Sequence, residues 1–297
     1  MDKVRIFEVG PRDGLQNEKE FIQTEDKVEL ISLLAGSGLS YIEATSFVNP
    51  KWIPQLADAA DVVRLLPQAD GVSYSALVPN AKGLQGAIHA GLKEVAVFMS
   101  ASEAHNKKNI NKTILETFPT LGEVVQEALS HGMRVRGYVS TVFGCPYEGE
   151  VALESVVRVT EELFKMGVYE VSLGDTIGVA TPKQVKERLK ALAGLFPKEQ
   201  LAGHFHDTRG TGLANVYASL EIGLRNFDSA IGGLGGCPYA PGASGNISTE
   251  DLVYMLEGMG LSTGVQLQEL VKAGAFIRNR LGRALPSKVL SAMAGSV

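Results

Sequence analysis

Short apolar segments alternate with longer amphipathic segments along the whole chain. Several of the apolar segments carry their polar residues only at the C-terminal end, which is typical of parallel strands that are covered by helices. We predict eight such strands: Val4–Val9, Tyr41–Thr45, Val72–Val78, Glu94–Met99, Val135–Ser140, Glu170–Leu173, Leu201–His206 and Asn226–Ala230.

The segments between these strands have helical periodicity. Thr24 is predicted to cap a helix whose first turn carries Glu25 and Asp26. Thr181-Pro182 has the same pattern, a capping residue followed by proline at the first helical position. The other predicted helices are Trp52–Leu66, Ala81–Ala90, Ile114–Ser130, Leu153–Met166, Val185–Leu195, Leu213–Ile222 and Thr249–Met259.

Eight strand–helix units without a break in composition predict an α/β fold, a single closed (β/α)8 barrel of the TIM type over residues 1–297. The alternative is an open doubly wound sheet, which would place a glycine-rich phosphate loop after an early strand. The first strand instead leads into 10–14, Gly-Pro-Arg-Asp-Gly, which lacks that spacing. Residues 264–297 are predicted as additional C-terminal helices, Val265–Ala273 and Phe276–Leu281.

Composition adds limits on function and location. The chain is 45% hydrophobic and 21% charged, as in soluble globular proteins, and a barrel uses about 250 residues. A net charge of −5 with dispersed basic residues gives no support to nucleic-acid or membrane partners. We expect no signal peptide or membrane span, and the two cysteines make no disulfide framework. A cytoplasmic protein is therefore expected.

His204 and His206 are the first candidates for chemistry. They lie two residues apart at the end of a predicted strand, so their imidazoles share a face and are able to bind one metal ion. A His-x-His pair alone is a weak signal, but a barrel gathers its functional groups at the C-terminal ends of its strands. Further polar residues at those ends are Arg12, Asp13, Glu43, Ser46, Tyr138, Thr141, Asp175, Thr176 and Asn246.

A divalent metal site is predicted from four of these residues. Asp13, His204, His206 and Asn246 would offer a carboxylate, two imidazoles and an amide oxygen, a set that suits Mg²⁺ or Mn²⁺. The rival interpretation is a zinc ion that recruits Cys237.

Arg12 would then be free to bind a developing oxyanion. Glu43 ends an apolar strand, and we interpret it as the residue that orients Arg12. Asp175 is in position to cap the following helix, which is the common use of Asp in such a turn, or to take part in proton transfer.

Cys237 lies among many glycines, which favours a mobile lid over a buried core position. A thiol with an ordinary pKa of about 8.5 is able to transfer a proton near neutral pH. Cys145 is interpreted as structural. The remaining histidines are expected to face solvent: His89, His105 and His131.

Together these segments resemble the 3-hydroxy-3-methylglutaryl-CoA lyase family of metal-dependent barrel lyases, which are related to isopropylmalate and homocitrate synthases. The similar segments span nearly the whole chain. They are 8–17 (EVGPRDGLQN), 43–48 (EATSFV), 137–140 (GYVS), 172–178 (SLGDTIG), 204–208 (HFHDT) and 232–246.

The resemblance implies cleavage of (S)-3-hydroxy-3-methylglutaryl-CoA to acetoacetate and acetyl-CoA in leucine degradation, by a homodimer that acts on an acyl-CoA. Cys237 would deliver a proton to the departing acetyl-CoA carbon, and Asp175 would handle the hydroxyl proton. Four residues are expected to position the substrate together with Arg12: Gln16, Ser46, Tyr138 and Ser172. Lys107 and Lys108 either meet coenzyme A phosphates or form a solvated surface.

Three alternatives remain open. The first is a related metal-dependent lyase or synthase that acts on another acyl-CoA or on a 2-oxo acid. The second is a Schiff-base aldolase, which requires a lysine inside the barrel, and none of the predicted strands has one in its interior. The third is a barrel that serves only as a binding or scaffold module.

Overall fold

Eight parallel strands form a closed barrel in chain order in this computed structural model, which describes residues 3–236 and 244–293. β1 pairs with both β2 and β8, so the sheet has no open edge. The predicted (β/α)8 barrel is thereby confirmed. The strands are β1 Arg5–Glu8, β2 Tyr41–Ser46, β3 Ser73–Leu77, β4 Glu94–Ser100, β5 Arg134–Ser140, β6 Glu170–Gly174, β7 Leu201–His204 and β8 Asn226–Ser229.

Alternate residues of each strand face opposite sides of the barrel wall. Val95 and Val97 on β4 and Val171 on β6 are fully buried among the apolar residues that pack the wall against the helices. The other face is polar on several strands. Arg136 of β5 reaches Asp228 of β8 although these strands are not neighbours, so the two side chains meet inside the barrel.

Helices surround the barrel. α5 shows why one of them forms, because Thr113 and Glu116 make a reciprocal capping box at its start. The helices are α1 Thr24–Gly36, α2 Ala59–Arg64, α3 Ala81–His89, α4 Glu103–Ile110, α5 Ile114–Ser130, α6 Leu153–Met166, α7 Pro182–Ala193, α8 Gly212–Ile222, α9 Thr249–Gly258, α10 Leu267–Leu281 and α11 Lys288–Met293. Within the described ranges, no helix is both long and apolar enough to cross a membrane.

The N-terminal half of the predicted helix Trp52–Leu66 is wrong. The chain makes a short 3-10 turn at Pro54–Leu56 before α2 begins at Ala59. Pro54 explains the difference, since a proline disfavours helical backbone at the residue before it. The two predicted caps have different outcomes. Thr181 is the N-cap residue and Pro182 opens α7, as predicted, although the Thr181 side chain makes no capping hydrogen bond. Thr24 is wrong as a cap, because it lies inside α1 and its hydroxyl donates to Asp58.

Two further helices differ from the prediction. α4 was not predicted because it has no apolar stripe; the Ser102 side chain starts it by accepting the N–H of His105. α10 is one helix where two were predicted with a break near Gly274. A Cβ at Gly274 would collide with Glu250, so this glycine permits close helix packing rather than ending the helix.

Candidate active site and metal centre

A cavity of about 500 Å³ opens at the C-terminal ends of the strands. Its wall contains many of the polar residues that were predicted from strand ends, together with an apolar side. The polar part includes Arg12, Asp13, Gln16, Ser46, Tyr138, Thr176, His204 and His206, and the apolar part includes Val48, Trp52, Ile53, Leu77, Pro79, Phe98 and Ile110.

Asp13, His204 and His206 meet at this cavity, with ligand atoms that all lie within 4.8 Å of one another. Asp13 lies on one wide helical turn after β1, Gly10–Gly14, in which three successive N–H groups point at the carbonyl of Val9. His204 ends β7, and His206 follows it after one residue. The two Nε2 atoms are 3.3 Å apart.

His204 is held in one orientation by a carboxylate below it. Its Nδ1 lies 3.0 Å from Oδ2 of Asp228. Burial raises the pKa of the Asp228 carboxyl, but Arg136 and His204 lower it by a larger amount. The net pKa is well below the usual range, so Asp228 is ionised. Burial lowers the pKa of His204, but Asp228 raises it above its ordinary value and keeps the proton on Nδ1. Nε2 is then the nitrogen that faces the cavity and would bind a cation.

His206 is also suited to bind a cation. Burial and the neighbouring His204 lower its pKa to about 4, so the imidazole is neutral at pH 7. Its backbone pairs with Asn246 in an isolated antiparallel bridge. The Asn246 side chain is 2% exposed and donates through Nδ2 to Oδ2 of Asp13 at 2.8 Å and to Leu234. Its amide oxygen is then left for another partner.

These donors fit a divalent cation. The Nε2 atoms of the two imidazoles converge at the cavity, and a carboxylate lies beside them. Burial raises the pKa of Asp13, but Arg12, His204 and His206 lower it, with a net value of about 2. The Asp13 carboxylate is therefore ionised, as a metal-binding carboxylate must be.

Arg12 is 6% exposed and adjoins this cluster. Its Nε donates to Oε2 of Glu43, as predicted for an orienting residue, and its Nη1 donates to Asp13 at 2.6 Å. Burial lowers the pKa of Arg12, but Glu43 and Asp13 raise it above its ordinary value, so the guanidinium stays charged. Burial raises the pKa of Glu43, and Arg12 lowers it by a smaller amount, so the net pKa is above its ordinary value. A bulge in the β2–β3 pairing between Glu43 and Thr45 sets the direction of this strand end.

The other predicted site residues divide into two groups. Gln16 donates to Asp13 at 3.1 Å, Ser46 donates to the carbonyl of Leu77, and both line the cavity with Tyr138. Ser172 and Asp175 are fully buried and do not line the cavity.

Those two buried residues have partners of their own. Ser172 donates to Asp228 at 2.7 Å. The Asp175 carboxylate accepts the N–H groups of Val179 and Ala180. Burial raises the pKa of Asp175 to about 6, although these hydrogen bonds lower it.

Comparison with known proteins decides the family. A family model described as HMGL-like matches residues 3–277. The chain belongs to the HMGL-like family.

Named relatives of this HMGL-like chain match it over nearly its full length. The hydroxymethylglutaryl-CoA lyase of Bacillus subtilis (strain 168) is 54% identical over 294 residues, which cover 99% of this chain and 98% of the relative. The 3-hydroxy-3-isohexenylglutaryl-CoA/hydroxymethylglutaryl-CoA lyase of Pseudomonas aeruginosa is 51% identical over 291 residues, 98% and 97% of the two chains.

A solved structure of an HMG-CoA lyase from Acinetobacter baumannii, in complex with coenzyme A and 3-methylmalate, has a TM-score of 0.93. It is 43% identical, and the match covers 98% of this chain and 95% of the other.

Cysteine and histidine predictions had mixed outcomes in this HMGL-like barrel. Cys237 lies outside the described residues, although the preceding Gly236 lines the cavity and pairs with Ser244. Cys145 is buried, as a structural cysteine should be, and its Sγ accepts the hydroxyl of Ser102. The expectation for His105 is wrong: it is 5% exposed and lines the cavity, because α4 turns it inward. His89 and His131 are exposed, as expected.

Two functional residues of the site were missed by the sequence reasoning. Asp228 holds His204, and Arg136 holds Asp228, yet neither lies at a strand end. A charged residue at an inward position of a barrel strand was the available signal, since such a residue needs a partner inside the barrel.

Proposed function

We propose that this chain is a hydroxymethylglutaryl-CoA lyase, which cleaves (S)-3-hydroxy-3-methylglutaryl-CoA to acetoacetate and acetyl-CoA. The observation that carries the proposal is the convergence of Asp13, His204, His206 and Arg12 on one cavity. Relatives with this activity in their names match nearly the full length of the chain. A retro-Claisen cleavage requires loss of the tertiary hydroxyl proton, stabilisation of the thioester enolate, and protonation of its carbon.

The metal would be Mg²⁺ or Mn²⁺, held by Asp13, His204, His206 and Asn246. When bound there, such a cation supplies Lewis-acid polarisation of the substrate hydroxyl and a carboxylate oxygen. The carboxylate and amide oxygens suit these ions, whereas the zinc alternative would depend on Cys237.

Arg12 would stabilise the enolate. Glu43 and Asp13 hold its Nε and Nη1, so the guanidinium is fixed before substrate binds and its Nη2 donors remain for the thioester oxygen. Because Arg12 and Glu43 are buried, water screens this interaction little.

Two residues were predicted to handle protons. The Cys237 thiol would protonate the departing acetyl-CoA carbon, since a thiol titrates near neutral pH. Asp175 was predicted to take the hydroxyl proton, but its carboxylate is fully buried and accepts two backbone N–H groups. The geometry therefore favours a positioning role, in which Asp175 fixes the turn that presents Thr176 to the cavity.

An acyl-CoA substrate would enter along the apolar side of the cavity. Gln16, Ser46 and Tyr138 would contact the acyl group, and Trp52, which is 74% exposed at the rim, would contact the coenzyme A arm. Asn109 lines the same rim, so the segment with Lys107 and Lys108 lies near enough to meet phosphates. A role in leucine degradation, a cytoplasmic location and a homodimer complete the proposal.

A second substrate class is favoured by the same apolar side. The Pseudomonas aeruginosa relative is named for a 3-isohexenyl thioester as well. Val48, Leu77 and Phe98 would give a longer 3-alkyl group an apolar surface. Comparing kcat/KM for thioesters with 3-methyl and longer 3-alkyl groups would separate a broad lyase from a narrow one.

The deciding experiment follows acetoacetate released from hydroxymethylglutaryl-CoA by chelator-treated protein, with and without added Mg²⁺ or Mn²⁺. We expect no release without metal and full release with either ion. Release by rigorously metal-free protein would exclude the metal from the reaction, and no release under any condition would exclude the substrate. Borohydride should trap no Schiff base, because none of the described strands contains a lysine.

A further inference from the structure

The inside of the barrel below the cavity is occupied by one buried arginine. Arg136 on β5 is 2% exposed, and each of its three guanidinium nitrogens has a partner. Nε donates to Glu170 at 2.8 Å, Nη2 donates to Asp228 at 2.7 Å, and Nη1 donates to the hydroxyl of Tyr138 at 3.0 Å. The interior of a TIM barrel is usually filled by branched apolar residues, so a buried arginine with two carboxylate partners is unusual there and indicates a specific role.

Two chains of hydrogen bonds start at Arg136, and we call each of them an arm. The first arm leads to the metal ligand His204. Asp228 accepts from Arg136 through Oδ1, and its Oδ2 lies 3.0 Å from Nδ1 of His204. Arg136 thus fixes the carboxylate that fixes the imidazole. Partners of this kind orient a ligating histidine, and their loss typically weakens metal binding about 10–100-fold.

The second arm leads to Arg12, the residue that is proposed to bind the oxyanion. The hydroxyl of Tyr138 accepts from Arg136 and donates to Oε1 of Glu43 at 3.3 Å. The second oxygen of Glu43 accepts from Nε of Arg12. Glu43 is therefore held at one oxygen by Tyr138 while it orients Arg12 with the other.

The arginine is itself held rigidly. Its Cζ lies 3.9 Å from the centre of the Phe7 ring, which stacks on Tyr41. Its partner Glu170 is anchored from the other side by Arg5 at 2.8 Å. The planar Arg136 guanidinium is held by Glu170, by Asp228 and by the Phe7 ring, so its hydrogen-bond partners have little freedom to move.

We propose that Arg136 is a positioning residue that sets both halves of the active site, the metal ligand His204 through Asp228 and Arg12 through Tyr138 and Glu43. The inference rests on the proposed function, since it assumes a metal at His204 and an oxyanion at Arg12. Lysine is unable to serve all three partners, because an ammonium lacks the planar fork.

The test measures Mn²⁺ affinity by electron paramagnetic resonance, and kcat and KM for hydroxymethylglutaryl-CoA at saturating Mn²⁺. We expect Arg136→Met and Arg136→Lys to raise the Mn²⁺ Kd about 10–100-fold and to lower kcat at least about 10-fold. KM should change little, because Arg136 lies below the cavity wall.

Single-arm variants separate the two effects. Asp228→Asn should raise the Mn²⁺ Kd, and Tyr138→Phe should lower kcat while leaving that Kd unchanged. Arg134→Met is the matched control, since it makes the same substitution on the same strand at a half-exposed arginine that contacts neither arm. It should keep wild-type values.

A structural role alone would lower the melting temperature of the Arg136 variants but leave Mn²⁺ Kd and kcat near wild type in the folded fraction, which would overturn the inference. If the Arg136 variants change only the Mn²⁺ Kd or only kcat, the claim that Arg136 positions both His204 and Arg12 would be overturned. If Arg136→Met does not fold, Arg136→Lys, which keeps the charge, carries the test. Wild-type protein that binds no Mn²⁺ would instead overturn the proposed function, and this inference with it.

Discussion

Replacing Arg12 by Gln should abolish most turnover and leave the metal site in place. The substitution removes the guanidinium that Glu43 and Asp13 hold at the edge of the cavity. Gln is uncharged and unable to donate to Glu43, Asp13 and a thioester oxygen at once. Asp13, His204 and His206 keep their own positions, because other residues hold them.

The magnitude follows from burial. Arg12 is 6% exposed and Glu43 is 3% exposed, so the charge acts in a poorly screened environment. Removing one pre-organised oxyanion donor typically costs about 10²–10³-fold in kcat, or about 2.7–4 kcal/mol. The loss of folding stability should stay below the about 3–5 kcal/mol seen when a buried ion pair loses one partner. Glu43 limits that loss, because burial already raises its pKa and it is able to take up a proton.

The assay is acetoacetate release at saturating Mg²⁺, with Mn²⁺ affinity and thermal unfolding measured on the same sample. Arg64→Gln is the control, since this arginine pairs with Asp61 but is 72% exposed and far from the cavity wall. Turnover of Arg12→Gln within 10-fold of wild type, in protein that still binds metal, would refute the assignment of the oxyanion to Arg12.

Three further predictions address the turn after β1, the buried carboxyl of Glu8 and the thiol of Cys237. Gly10→Ala should lower both stability and turnover, because its Cβ would lie 2.5 Å from Oε1 of Glu8 and 2.8 Å from Ile231, whereas Gly36→Ala should be neutral or stabilising with nothing within 4 Å. Burial raises the pKa of Glu8 to about 8, although hydrogen bonds lower it. The folded state therefore keeps a proton on Glu8 that the unfolded chain loses above pH about 4.5. Glu8 alone should then lower stability by about 1.4 kcal/mol per pH unit from there to about pH 8. Glu8→Gln should flatten that slope in denaturant unfolding. Cys237→Ser should lose most cleavage while Mn²⁺ binding stays normal.

Each of these predictions has a contrary result. Equal melting temperatures for the two glycine variants would mean that the turn tolerates a Cβ beside Glu8. An unchanged pH slope in Glu8→Gln would mean that this carboxyl is ionised in the folded protein. Unchanged turnover of Cys237→Ser would reduce the thiol to a structural role.

The barrel was predictable because several of its parallel strands are apolar and end in polar residues. That pattern is visible in the sequence alone, since it does not depend on tertiary contacts. The elements that were missed or misplaced lack that signal. α4 is polar throughout and depends on the Ser102 cap, while α2 is shortened by Pro54. The gap that was predicted at 274–275 is absent, because Gly274 continues α10 and permits a close contact with Glu250 that only the packed helices reveal.

The site was predictable at the strand ends and not inside the barrel. Asp13 and the two histidines lie where the wall opens, so the fold alone brings them together. Arg136 and Asp228 are separated by 92 residues and by non-adjacent strands, and only closure of the barrel makes them partners. His105 was misjudged for a related reason, since its burial depends on a helix that the sequence pattern did not indicate.

The central claim is that one cation lies among Asp13, His204, His206 and Asn246. Its most direct test is anomalous scattering from a crystal of the chelator-treated protein that has been soaked in Mn²⁺. The account predicts a single strong peak within coordination distance of the Asp13 carboxylate, Nε2 of both histidines and the amide oxygen of Asn246. A peak elsewhere, a peak that leaves the imidazoles unbound, or no peak at saturating Mn²⁺ would contradict it.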